Sequence, residues 1–164
     1  MNILVFSDSH SSLRFMRDAM ERVNPDAVIH LGDHYDDGET IGEEYPQVSF
    51  YQVPGNCDRY RCSSLIPEIL CCRVCGIDLY MTHGHLHKVK QTLSMLLADS
   101  KAAKVQAVLY GHTHIADCHR EEDLWVLNPG TCGHFGGSAG VIETDGEEIT
   151  ACRIIRQTDL EEFV

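Results

Sequence analysis

Apolar positions along this chain come in short runs that stop at polar loops. Asn2 to Phe6 is a continuous aliphatic run, the pattern of a strand buried on both faces. It gives way to Ser7-Asp-Ser-His10. Leu13, Met16, Ala19, Met20 and Val23 then recur at helical spacing, with Ser11 or Ser12 placed to cap and Asn24-Pro25 to stop the helix. Ala27 to Leu31 reads as a second buried strand, ending in Gly32-Asp33, and a crossover of this length predicts a parallel pair. Asp36-Asp-Gly38 opens a short helix through Tyr45. Val48 to Val53 is a third strand, closed by Pro54-Gly-Asn-Cys-Asp58.

Ile69 to Val74 and Ile77 to Thr82 flank Cys75-Gly76 as a hairpin whose second arm delivers His83-Gly-His85. A helix over roughly Val89 to Ala103 carries Leu93, Leu96 and Leu97 on one stripe. The strand Val105 to Tyr110 then runs into Gly111-His-Thr-His114. Asp117 to Arg120 pairs with Leu124 to Leu127, Asn128-Pro-Gly130 breaks the chain, and Gly140 to Glu143 with Glu148 to Ile155 form a last hairpin. Helices alternate with strands early and vanish late. That order predicts an α/β protein with two packed mixed sheets and helices outside, formed as one domain over residues 1–164.

Composition narrows the function classes. At 164 residues the chain can bury about 68–70% of its unfolded surface without staples. A formal charge of −12 argues against nonspecific nucleic-acid binding, which needs Lys and Arg to displace counterions. No apolar run approaches the roughly 18–20 residues that span a bilayer, and the first residues lack a basic signal-peptide region. The cytoplasm is the default location. Eight cysteines then read as reduced thiols acting as small hydrophobes. Cys72-Arg-Val-Cys75 has the spacing of half a zinc knuckle, but no second such pair exists.

Five of the strands end in a loop carrying hard or borderline metal ligands. These are Asp8 and His10; Asp33; Asn56 with Asp58; His83; and His112 with His114. If the last pair is extended, positions i and i+2 face one side and both rings can reach one site. Each block alone is an ordinary turn or a lone histidine. All five in order, each directly after an apolar strand, point to a metal site at the carboxyl ends of the strands.

The ordered blocks Asp-x-His, Gly-Asp, Gly-Asn-Cys-Asp, His-Gly and Gly-His-x-His resemble the calcineurin-like metallophosphoesterases. The small size and the Asn128-Pro-Gly-Thr131 block resemble their compact, YfcE-like phosphodiesterase branch. The resemblance implies a four-layer α-β-β-α sandwich, the metallophosphoesterase fold, and two divalent metal ions. Asp8, His10, Asp33 and His114 would hold one ion; Asp33, Asn56, His83 and His112 would hold the other. A carboxylate suits the bridging role between ions roughly 3.5–4 Å apart. The N/O donor set contains no thiolate, which suits Mn²⁺, Fe²⁺, Ni²⁺ or catalytic Zn²⁺, and the family implies Mn²⁺ first.

The implied function is a metal-dependent phosphoesterase, a hydrolase acting on small phosphate esters and preferentially on phosphodiesters. A metal-activated hydroxide would attack phosphorus in line. A phosphomonoesterase is the nearest alternative. A non-catalytic scaffold of the same fold, as in the retromer subunit that resembles this branch, is a second. No nucleic-acid or membrane partner is indicated, and a homo-oligomer is compatible with the sequence.

The chain departs from the wider family at Cys57, where many members place a histidine that protonates the leaving group. Asp58 and Asn56 are left as candidate catalytic residues of that loop, and good leaving groups such as aryl esters are expected to be favoured. His85, two residues from His83, is a candidate substrate contact, and His34 a candidate neighbour of the ligands. His30 is expected to be packed, whereas His87, His119 and His134 are expected to be solvated. Arg59 and Arg61 flank Asp58 and offer forks for phosphate oxygens. Substrate choice is expected in loops such as Tyr35 to Glu44 and Thr131 to Ser138.

Overall fold

The computed structural model describes residues 1–133 and 136–161. Strand β1 (Asn2–Phe6) lies between β2 (Ala27–His30), which runs parallel to it, and β9 (Ser138–Thr144), which runs antiparallel. Strand β3 (Ser49–Gln52) and β10 (Ile149–Arg156) complete a sheet of order β10-β9-β1-β2-β3. The second sheet has the order β4-β5-β6-β8-β7, from β4 (Ile69–Val74), β5 (Ile77–Thr82), β6 (Ala107–Leu109), β7 (Asp117–Glu121) and β8 (Leu124–Asn128). Within it β5, β6 and β8 are parallel, and β4 and β7 are antiparallel edges.

The continuous apolar runs follow from this layering. Ile3, Val5, Ile29 and Leu31 face Leu79, Met81, Leu109 and Leu127 in one fully buried layer between the sheets. The alternate residues Leu4, Phe6 and Val28 meet Phe15, Met16, Ala19 and Met20 of α1 (Leu13–Val23) and Ile41 of α2 (Tyr35–Glu44) on the outer side. Tyr80, Val108 and Val126 do the same for Leu96 of α3 (Ser94–Ala102). Both faces of each central strand are covered, so no polar alternation appears. The result is a four-layer α-β-β-α sandwich, as the sequence predicts.

Several details differ from the sequence reading. The third helix starts at Ser94, not near Val89, because a 3₁₀ turn at His85–His87 ends at Lys88 with φ +54°, outside the helical region. That turn tucks His87 inside. The ring is buried, with Nε2 3.0 Å from the Tyr80 hydroxyl and 3.3 Å from Asp99, so the expectation of a solvated His87 is corrected. Neither Ser11 nor Ser12 caps α1 through its side chain. Tyr35 to Glu44, named among the loops relevant to substrate, is helix α2 throughout, in keeping with the short helix expected to run through Tyr45. A last helix, α4 (Gln157–Glu161), follows β10 and carried no apolar signal; Asp159 accepts the Arg156 amide at 2.7 Å.

Candidate metal centre

The loops after β1, β2, β3, β5 and β6 converge where the two sheets present the carboxyl ends of their parallel strands. Hydrogen bonds between loops hold them in register. Asp8 N donates to the Gly32 carbonyl at 3.0 Å, Gly111 N to the His83 carbonyl at 2.9 Å, and Cys57 N to Asp33 Oδ1 at 2.9 Å. The glycines allow this closeness. A Cβ on Gly111 would fall 2.0 Å from Ser7 Oγ, and one on Gly55 would fall 2.1 Å from Asp33 Oδ1.

The backbone at the site is unusual. Asp8, His10, Asp33, His112 and His114 all have φ between +45° and +67°, a region sparsely occupied by residues other than glycine. The segment His112 to His114 is therefore not extended, and the i, i+2 rule for a strand does not govern it. The rings diverge. His114 joins His10, with ring centroids 5.2 Å apart, and His10 in turn lies 4.8 Å from His34. His112 joins His83, with centroids 5.0 Å apart, and His85 sits 5.5 Å from His83.

The carboxylates stand between these two groupings of rings. Ligand atoms of Asp8, His10 and His114 lie within 4.8 Å of one another, and so do those of Asp8, Asp33 and His83. Asp8 is the residue common to both clusters. Its Oδ1 is 3.0 Å from His114 Nε2 and 3.9 Å from His83 Nε2, while Asp33 Oδ2 is 3.5 Å from His83 Nε2. The other Asp8 oxygen is occupied: Oδ2 accepts from Ser7 Oγ at 2.6 Å and from the His112 amide at 3.0 Å.

The donor atoms left over fit divalent metal ions. His83 Nδ1 lies 2.8 Å from the Leu31 carbonyl, which can only accept, so Nδ1 carries the proton and Nε2 presents a lone pair. Asp8 Oδ1, His83 Nε2 and the Asn56 carbonyl oxygen are buried with no hydrogen-bond partner. Such atoms cost stability unless something else engages them, and those of Asp8 and His83 fall within one cluster less than 4.8 Å across. Burial, then the neighbouring His83 and Lys90, pushes His112 down to about 4; burial, then His34, lowers His10. Both rings are thus neutral near pH 7, the state that binds metal. Burial opposes ionisation of Asp33, yet His83 and the Cys57 amide hold its carboxyl below the usual range.

Asp58 is placed differently from its neighbours. It is buried, and its two oxygens accept three backbone amides: Gly55 at 2.7 Å, Asp33 at 2.9 Å and Tyr35 at 3.0 Å. That geometry ties the β3 loop to the β2 loop and leaves little room for the acid role read from the sequence. Cys57 stays a thiol, pushed up to about 11 by burial and by Asp33. His85 Nε2 is 3.3 Å from Glu68, and burial, then His83, lowers its pKa. Arg61 pairs with Asp36. Arg59 has no acidic partner among the described residues and lines a 260 Å³ pocket with Gly55, Ser63, Ser64 and Glu68. His134 lies outside the described residues.

Sequence reasoning missed the residues that brace the ligands. Asn128 Nδ2 donates to the Gly111 carbonyl at 3.1 Å and to Thr113 at 2.9 Å, and Thr131 Oγ1 donates to the Asp8 carbonyl at 2.7 Å. The Asn128-Pro-Gly-Thr131 block signalled them. In the sequence Asp37 stands out only as part of the opening of a short helix. It lies buried and accepts from Ser9 Oγ at 2.7 Å and Ser11 N at 2.8 Å, and no local pattern foretold that.

A model of the calcineurin-like phosphoesterase superfamily domain matches residues 1–147. The chain belongs to this family. As a calcineurin-like phosphoesterase it is 32% identical over 132 residues to a probable metallophosphoesterase of Mycoplasma pneumoniae, covering 79% of this chain and 77% of that protein. It is 28% identical over 165 residues to phosphodiesterase MJ0936 of Methanocaldococcus jannaschii, covering 90% and 96%. Its fold matches that of Vps29 from Entamoeba histolytica, solved in complex with Zn²⁺, at a TM-score of 0.70 and 16% identity over 95% and 98% of the two chains.

Proposed function

We infer that this calcineurin-like phosphoesterase hydrolyses small phosphodiesters at a two-metal centre, with Mn²⁺ as the favoured ion and the cytoplasm as its place of action. The observation that carries the reading is the set of buried acceptors without hydrogen bonds on Asp8 and His83, beside the paired rings of His10 with His114 and of His83 with His112. His10 and His114 would serve one ion; Asn56, His83 and His112 the other; Asp8 and Asp33 supply the carboxylates between them. Bound there, divalent ions supply a water of lowered pKa and positive charge for the phosphoryl oxygens. The identity of MJ0936 as a phosphodiesterase supports the diester preference.

The chain's own groups do the positioning. Ser7 and the His112 amide fix the orientation of Asp8, and the Leu31 carbonyl fixes that of His83. Asp58 holds Asp33, Gly55 and Tyr35 in register through their amides. Arg59 faces the adjoining pocket and is the side chain placed to meet a phosphate oxygen or the second ester group. With Asp58 locked and Cys57 a weak donor, aryl esters should turn over faster than alkyl esters.

The test is hydrolysis of bis(4-nitrophenyl) phosphate against 4-nitrophenyl phosphate, with and without Mn²⁺. Metal-dependent turnover with faster diester cleavage is expected, and Asn56→Ala should abolish it. Turnover that survives exhaustive chelation would overturn the metal assignment. Faster monoester cleavage would overturn the diester preference alone. A protein that neither retains metal nor cleaves either ester would favour the scaffold reading.

A further inference from the structure

Away from the metal centre, the two sheets meet along one side of the sandwich at β7 and β10, each an edge strand of its own sheet. Cys118 of β7 pairs across its sheet with Leu127, and Cys152 of β10 pairs with Ile142. Leu127 and Ile142 are fully buried members of the layer between the sheets, and both cysteines pack against that layer. The side chains therefore point inward from opposite sheets, and their Sγ atoms lie 3.0 Å apart. That is closer than two sulfurs sit in ordinary van der Waals contact. Both residues are only half-buried, so small reagents can reach them.

We propose that Cys118 and Cys152 are a disulfide-forming pair that reversibly staples the two sheets together at this edge. The co-reactant is a low-molecular-weight disulfide such as oxidised glutathione. The Cys118 thiolate attacks one sulfur of that disulfide, forming a mixed disulfide and releasing one small thiol. Cys152 then loses its proton and attacks the Cys118 sulfur, closing the protein disulfide and releasing the second small thiol. Two protein thiols are oxidised, and one small disulfide is reduced to two thiols. The polarity of the pair supports this order. The contact from Cys152 lowers the Cys118 thiol, whereas the Cys118 contact and burial push Cys152 up, so Cys118 is the thiol that ionises first.

The other cysteines packed in the two layers do not compete. Cys72 and Cys75 also pack against the inter-sheet layer, but they belong to β4 and its turn, at the opposite edge of the second sheet from β7. Cys132 is buried in the outer layer beside α1. Residues 118 and 152 are 34 apart in sequence, so the link closes a sizeable loop of the unfolded chain.

The test incubates the full chain with oxidised glutathione, then maps peptides under non-reducing conditions and measures Tm. The expected result is a peptide pair linked Cys118–Cys152, with loss of two hydrogens and no glutathione retained at either residue. Tm should rise by roughly 5–15 °C, reversed by dithiothreitol. Cys118→Ser and Cys152→Ser, both near-isosteric, should each lose the linkage and the shift. In Cys152→Ser, glutathione should remain attached at Cys118. A stable glutathione adduct on Cys118 or Cys152 of the wild-type chain, a linkage of either to Cys72 or Cys75, or unreacted Cys118 and Cys152 would overturn the proposal. None of these outcomes depends on the phosphoesterase reading.

Discussion

The bodies of the central strands and the loops at their carboxyl ends are built on opposite rules. Within the strands, Ile3, Val5, Leu79, Met81 and Leu109 bury apolar faces, and the backbone is paired along its length. A few residues later, Asp8, Asp33 and His83 bury polar groups, and Asp8, Asp33 and His112 sit at positive φ. The first region stabilises the fold at every position. The second leaves buried atoms of Asp8 and His83 without hydrogen bonds, a cost that the first supports. Stability and chemistry are thus separable along a single strand, and substitutions on either side of the boundary should have opposite signatures.

The largest effect is expected at the ligands. Asp8→Ala should lower phosphodiesterase activity by more than about 100-fold, beyond the 10–100-fold typical of groups that only support a ligand. The Tm of the metal-free variant should change far less than its activity, because Ala removes a buried oxygen that lacks a hydrogen bond together with the acceptor of Ser7 Oγ and the His112 amide, and the two effects oppose. A parallel fall in Tm and activity would erase the boundary. Leu109→Ala is the converse. It should cost about 2–5 kcal/mol in denaturant unfolding through the cavity left between the sheets, with kcat of the folded fraction unchanged.

Two further substitutions sharpen the line where the regions touch. His30 is fully buried, Nδ1 accepts the Gly32 amide at 3.3 Å, and Nε2 meets Ser9 Oγ at 3.1 Å. Burial pushes its pKa down to about 4. Between pH 6.5 and 4 the unfolded chain takes up a proton that the folded chain refuses. Stability should therefore be fully present above about 6.5 and fall as pH drops toward 4, by on the order of 3 kcal/mol. Equilibrium unfolding against pH checks this, and His30→Asn should flatten the slope. Asp58→Asn should cost about 1–3 kcal/mol by replacing an acceptor of three amides. It should lower kcat for aryl and alkyl esters by the same factor. A selective loss on alkyl esters would mark Asp58 as the leaving-group acid after all.

The same boundary explains how much could be read from the sequence. Strand bodies announce themselves because Ile3 to Phe6 or Ala107 to Leu109 are apolar on both faces, whatever lies far away in the chain. The ligand types were legible because each follows such a run directly. Their orientation was not. His112 and His114 diverge through positive φ at both residues, which depends on Asp8 and Asn128, more than a dozen residues away, anchoring the loop. The role of Asp58 was misleading for the same reason, since its amide partners at Asp33 and Tyr35 come from another loop. The Cys118–Cys152 contact joins two sheets, and its two residues share no motif.

The central claim is that the two histidines of Gly111-His-Thr-His114 serve different ions. Metal content per chain, measured by elemental analysis on the wild type, His112→Ala and His114→Ala after Mn²⁺ loading and desalting, tests it most directly. The account predicts two ions in the wild type and about one in each single variant. One ion in the wild type that both variants lose, or a content that neither substitution changes, would contradict it.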